Sequence, residues 1–191
     1  MTLLLIGLLL FLGVHSMSIV APRWRDAMAT RIGEQPWKGV YTLFAVVGFV
    51  LIVKGYATAR LDPTVLYAPA PWLRHVAIAL LLPVFPLLLA TYLPGRIKRA
   101  AKHPTLLATK FWALAHLLAN GMLADVVLFG AFLAWAVADR ISLTRRPARA
   151  VPALPGSRAN DAIVIVGGLA IYAAFALWLH PLLIGVPVIA R

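Results

Sequence analysis

Residues 2–20 read TLLLIGLLLFLGVHSMSIV, a stretch without a single Asp, Glu, Lys or Arg. At about 1.5 Å per residue a helix of this length covers about 28 Å, close to the hydrocarbon thickness of a bilayer. Five further apolar runs follow, at 39–56, 73–93, 106–120, 122–138 and 163–186. The fourth and fifth are short and separated by Asn120-Gly121, a strong turn dipeptide, which predicts a tight helical hairpin. Pro83 and Pro86 predict a kink in the third. Six spans leave only short loops, so the expected architecture is all-α: a polytopic membrane helical bundle of about six transmembrane helices, forming one integral domain over 1–191. The first run lacks a basic leader and a small-x-small cleavage pattern, and is expected to remain as a helix.

Composition agrees. Of the 191 residues 62% are hydrophobic and 13% charged, against about 45–50% and about 25% in soluble domains. A soluble enzyme cannot be built on that surface. The chain also has no cysteine, which excludes disulfides, thiolate-ligated metals and a cysteine nucleophile.

The net charge of +12 would suggest nucleic-acid binding in a soluble protein. Here the bases sort by loop instead. Arg23, Arg25, Arg31 and Lys38 lie between the first two runs; Arg96, Lys98, Arg99 and Lys102 between the third and fourth; Arg140, Arg145, Arg146, Arg149 and Arg158 between the last two. These alternate loops hold thirteen of the 18 bases, and the positive-inside rule makes them cytoplasmic. Arg60, Arg74 and Arg191 fall on the other face, and both termini are then non-cytoplasmic. The expected partner is the lipid bilayer, and not a nucleic acid.

Polar groups inside a membrane are costly and are the first candidates for function. His15 sits in Phe11-Leu12-Gly13-Val14-His15-Ser16, inside an apolar helix. Steps of four put Trp112, His116 and Asn120 on one stripe, with Thr109 beside it. A packing role, each histidine bonding a neighbouring helix, stands beside the functional reading. His180 precedes Pro181 and shares a stripe with Gly168, Tyr172 and Ala176. His75 follows Arg74 at the outer end of the third run, where an interfacial place and a site are both open. His103, before Pro104, fits an interfacial position at a proline-started helix. Asp125 fits the first turn of the fifth helix, as a cap.

Paired membrane carboxylates, a P-loop, a nucleotide-binding glycine fingerprint and a His-Glu-x-x-His helix are all absent from the sequence. Histidines on separate apolar helices, among aromatics and small residues, suit haem b: one or two imidazoles, an apolar slot, and a base such as Arg74 near the propionates.

The chain resembles the NnrU family of bacterial membrane proteins, related to the 15-cis-zeta-carotene isomerase of plants and cyanobacteria. The resemblance is carried by Phe11-Leu12-Gly13-Val14-His15-Ser16, by His103-Pro104 leading through Trp112-Ala113-Leu114-Ala115-His116-Leu117 to Asn120-Gly121, and by His180-Pro181 with Gly185-Val186-Pro187. It implies an integral haem-b protein of the bacterial inner membrane whose ligands map to His116 and His15. The activities it implies are nitric-oxide or denitrification-linked metabolism, or haem-dependent cis-trans isomerisation of a carotenoid, with a diatomic gas or an apolar polyene as small-molecule partner. The isomerase carries a cysteine three residues before the second histidine, where this chain has Ala113, so thiolate-dependent ligand exchange is absent. Depth in the membrane favours His75 or His180 over His15 as the partner of His116, because His15 lies inward and His116 outward of its midpoint, each by about 6 Å. The alternatives are a closed bis-histidine electron-transfer cytochrome and a non-enzymatic assembly or regulatory factor for a respiratory complex.

Overall fold

The computed structural model describes residues 1–146, 149 and 151–188; the outward placement of Arg191 lies outside them. Among the described residues the chain is helical, with an isolated β-bridge between Val65 and Met122. The helices are α1 (Thr2–Val20), α2 (Pro22–Ile32), α3 (Glu34–Ala59), α4 (Leu73–Leu81), α5 (Val84–Tyr92), α6 (Arg96–Ala101), α7 (Pro104–Ala119), α8 (Leu123–Ser142), α9 (Asn160–Ala174) and α10 (His180–Ile184), with a π-helical turn at Phe175–Leu179 between the last two.

Each of the six apolar runs is helical. Four segments are long and apolar enough to cross a membrane: Thr2–Val20, Glu34–Ala59, Leu73–Tyr92 and Asn160–Ile184. The other two differ for separate reasons. With 16 residues α7 reaches only about 24 Å, and α8 carries Asp125, Asp139 and Arg140 within its 20. Outward-facing positions such as Leu9 (74% exposed) and Val166 (70%) suit contact with lipid rather than water.

The helices group into two compact units, each built from two separate stretches of chain. The first comprises residues 1–68 and 120–145, hence α1, α2, α3 and α8. Its axis is a seam of close backbone approach between α1 and α3. A Cβ at Gly48 would lie 2.7 Å from the Phe11 amide nitrogen, one at Gly7 would lie 2.5 Å from that of Ile52, and one at Gly55 would strike Leu4. Small residues bring helices this close where no hydrophobic effect drives association.

The Asn120-Gly121 turn joins α7 to α8 as expected, but the two helices belong to different units. Within the first unit the turn pairs with the loop after α3: Leu66 and Tyr67 donate to the Gly121 carbonyl at 2.8 and 3.2 Å, and Leu123 donates to that of Thr64 at 2.8 Å. Gly121 is pressed onto the Tyr67 carbonyl, leaving no room for a side chain.

The second unit, residues 69–119 and 146–191, holds α4–α7, α9, the π turn and α10. The third run breaks where its prolines predict, between α4 and α5. Pro83 has no N–H for the Ala79 carbonyl, so the Leu82 N–H shifts to Ala79 at 3.3 Å and leaves the Ile78 carbonyl without its helical partner. The Tyr172 hydroxyl of α9 donates to that carbonyl at 3.1 Å. Pro86 falls in the first turn of α5, where an N–H is not needed, and its ring packs on Gly168 of α9. Val84, Leu87 and Ala108 form the core here, with Phe111 and Trp112 against them.

Two helices occupy segments that read as loops. Pro22 sits at the first position of α2, whose Arg, Ala and Met residues are good helix formers despite their polarity. Asp161 generates α6 from afar: its carboxylate accepts the N–H groups of Arg96 at 2.9 Å and Ile97 at 3.0 Å.

Candidate functional site

His15 lies on α1, in the first unit. Its Nδ1 is 2.6 Å from the Phe11 carbonyl one turn earlier. A carbonyl can only accept, so Nδ1 carries the proton and the neutral ring presents Nε2 as its lone-pair nitrogen. Nε2 makes no hydrogen bond among the described residues. The ring stacks on Phe11, with centroids 4.3 Å apart, and meets Tyr41 of α3 and Trp135 of α8 edge-on at 5.2 and 5.9 Å. Phe11 in turn touches Phe49 and Phe132. Three helices thus wall the imidazole with aromatic rings, and Gly48 sets their spacing by letting the Phe11 backbone rest on α3. Within this wall the indole N–H of Trp135 is buried and has no acceptor among the described residues. A buried donor left without a partner costs about 1–3 kcal/mol.

His116 lies on α7, in the second unit, and repeats the local pattern. Its Nδ1 is 2.7 Å from the Trp112 carbonyl and its ring lies 5.3 Å from the Trp112 ring. Aromatic-x-x-x-His therefore recurs at Phe11–His15 and Trp112–His116, each time with the proton held on Nδ1. Asn120 does not extend this stripe. Helix α7 ends at Ala119, because the chain turns at Asn120-Gly121, and Asn120 groups with the first unit, where its carbonyl accepts the Tyr67 hydroxyl at 2.7 Å. Burial, and then the Asp125 carboxylate, hold the Tyr67 phenol above its ordinary pKa.

The remaining candidates belong to the second unit. His180 closes the π turn: Pro181 removes a helical N–H, the helix widens over Phe175–Leu179, and Nδ1 of His180 reaches the Val186 carbonyl at 2.6 Å. Arg74, expected beside propionates, instead binds the Pro187 carbonyl at 3.2 Å and that of Val188 at 2.6 Å through Nη2, and Val188 again at 3.0 Å through Nε. Arg74 and His180 thus meet on the segment 186–188, tying it down. His75 is exposed on α4, and its side chain makes no hydrogen bond among the described residues. His103 precedes α7, which Pro104 opens as expected.

Asp125 caps α8 as its position suggested, accepting the Met122 N–H at 3.0 Å. Its other oxygen accepts the Tyr56 hydroxyl of α3 at 2.6 Å, a pairing that sequence spacing does not reveal. Tyr41 and Trp135 were also missed as neighbours of His15. They come from helices far along the chain, and only the α1–α3 glycine seam hints at the first.

A family model described as NnrU protein matches residues 3–188. The chain belongs to the NnrU family. No curated protein and no solved structure matches it. No group of three or more His, Cys, Asp or Glu side chains able to hold a metal ion occurs among the described residues of this NnrU protein. His15, His116 and His180 each stand beside an aromatic ring, at 4.3, 5.3 and 5.9 Å between centroids.

Proposed function

We propose that this NnrU protein is an integral haem-b protein of the bacterial inner membrane, with His15 or His116 as an imidazole ligand and a role in nitric-oxide or denitrification-linked metabolism. The observation that carries this reading is the shared tautomer. On both helices Nδ1–H is tied to the carbonyl one turn earlier, which fixes ring orientation and raises basicity, and on His15 it leaves Nε2 as the ligating nitrogen. The wall of Phe11, Tyr41 and Trp135 offers the apolar faces a porphyrin needs, and the unpartnered Trp135 N–H would meet an acceptor on a bound group. Haem, when bound, would supply an iron able to bind a diatomic or to polarise an alkene. This chain's residues would orient the imidazoles and exclude water. The absence of any cysteine, with Ala113 where the related isomerase has its thiol, favours diatomic chemistry over carotenoid isomerisation. In the same reading all six apolar segments span the bilayer with both termini outside, supported by the thirteen bases in alternate loops.

The test is the absorption spectrum of detergent-purified protein expressed with ample haem. A Soret band is expected. His116→Ala or His15→Ala should abolish or shift it, and His103→Ala should leave it unchanged. No band, or equal loss in all three variants, would refute the assignment. Carbon monoxide binding to the reduced form separates an openable iron from a closed bis-histidine cytochrome.

A further inference from the structure

A cavity of about 240 Å³ lies where the end of α1 meets α2 and the start of α3, lined by Met17, Ser18, Arg25, Trp37, Lys38 and Tyr41. Its polar groups are mostly unspent donors. The Arg25 side chain is 23% exposed and donates to Asp26 at 3.0 Å. Its remaining N–H groups make no hydrogen bond among the described residues, and its guanidinium lies 5.9 Å from the centre of the buried Trp37 ring. The Trp37 indole N–H and the Tyr41 hydroxyl likewise have no hydrogen-bond partner among the described residues. Lys38 pairs with Glu34 at 2.8 Å on the open side, where the carboxylates of Glu34 and Asp26 are 70% and 58% exposed and solvated. Over 21–38, Arg23, Arg25, Arg31 and Lys38 outnumber Asp26 and Glu34 by two charges. Asp139 of α8 also acts on Tyr41.

A half-buried guanidinium, an indole N–H and a phenol around one cavity match the oxygens of an anion. The surroundings specify which anion. Val40, Phe44 and Val47 fall on one face of α3 by their spacing, and all three are exposed, so an apolar lane runs along the helix from beside the cavity. A ligand with a phosphate head and hydrocarbon tails satisfies both. We propose that this cavity binds the phosphodiester of an anionic phospholipid, with Arg25 as the principal ligand, Trp37 and Tyr41 as neutral donors, and the acyl chains along α3. The cavity shares Tyr41 with the wall around His15, whereas Arg25 and Trp37 belong to the cavity alone.

Native mass spectrometry of the full chain, released from micelles doped with phosphatidylglycerol or phosphatidylcholine, tests it. Wild type should retain one phosphatidylglycerol and discriminate against phosphatidylcholine at equal concentration. Arg25→Gln should weaken retention by about tenfold to a hundredfold. Arg31→Gln, which removes the same charge outside the cavity, should stay within about twofold of wild type. Should Arg25→Gln fail to fold, Tyr41→Phe removes one hydroxyl from the same cavity and should weaken retention by about threefold or more. Equal retention of both lipids, equal loss in Arg25→Gln and Arg31→Gln, or an unchanged Tyr41→Phe would overturn the proposal. Displacement of the lipid by inorganic phosphate alone would make the site one for free phosphate and overturn the lipid assignment.

Discussion

Substituting alanine for glycine at two places should change stability in opposite directions. At Gly48 the new Cβ would lie 2.7 Å from the amide nitrogen and 3.0 Å from the Cα of Phe11, both backbone atoms of a packed helix. Ordinary contact is about 3.4–4 Å, so α1 and α3 must separate by about 0.5–1 Å at that level. Overpacking of this kind costs about 1–3 kcal/mol, and in a membrane close packing is itself the main attraction between helices. At Gly13, two residues beyond Phe11 on α1, a Cβ meets nothing within 4 Å. There the substitution only removes backbone freedom and should stabilise by up to about 1 kcal/mol. Reversible unfolding in mixed detergent micelles, followed by tryptophan fluorescence, measures both. Gly48→Ala should lower the unfolding midpoint and Gly13→Ala should hold or raise it. Because Phe11 carries both the stacking face and the carbonyl that orient His15, Gly48→Ala should also disturb any spectroscopic signal from that imidazole while Gly13→Ala leaves it alone. If both variants behave like wild type, or shift together, the seam does not set the distance between α1 and α3 and the reasoning fails.

Tyr56→Phe should destabilise the first unit by about 1–3 kcal/mol, since it strips a 2.6 Å hydrogen bond from Asp125, which is 3% exposed; a midpoint equal to wild type would show the pair to be incidental. Tyr172→Phe leaves the Ile78 carbonyl without a partner and should cost about 1–2 kcal/mol in the same assay. If it costs nothing, water already serves that carbonyl. Because the chain has no cysteine, single-cysteine labelling is clean. Asp62→Cys should react with an impermeant reagent from outside intact cells and Ser157→Cys only after permeabilisation, and labelling from the same side would refute the six-span alternation.

The six helical runs were legible because hydropathy reports directly on burial in lipid, and Pro83 announced the break between α4 and α5. Helices α2 and α6 were not. The first is too polar to register as a span although Pro22 and its Ala, Met and Arg content suit a helix. The second owes its start to Asp161, sixty-odd residues along the chain. His15 and His116 stood out as rare polar groups in apolar runs, and the aromatic one turn before each was visible in the spacing. The rings of Tyr41 and Trp135 around His15 were not, since such contacts depend on which helix faces meet. Asn120 misled in the opposite sense: a period of four continues on paper past the point where Gly121 turns the chain.

The way the two units alternate along the chain bears on how the protein is made. The α1–α3 seam joins segments that emerge from the ribosome close together, so it can close within the first 68 residues. Helix α8, which supplies Trp135 to the wall around His15 and Asp125 to Tyr56, is synthesised only after α4–α7. The second unit waits in turn for α9. Neither unit can therefore be finished before most of the other has been threaded into the membrane, and a ribosome stalled at residue 119 would leave both half-built. Truncation from the carboxyl end should cripple the second unit first and reach the first only when α8 is lost.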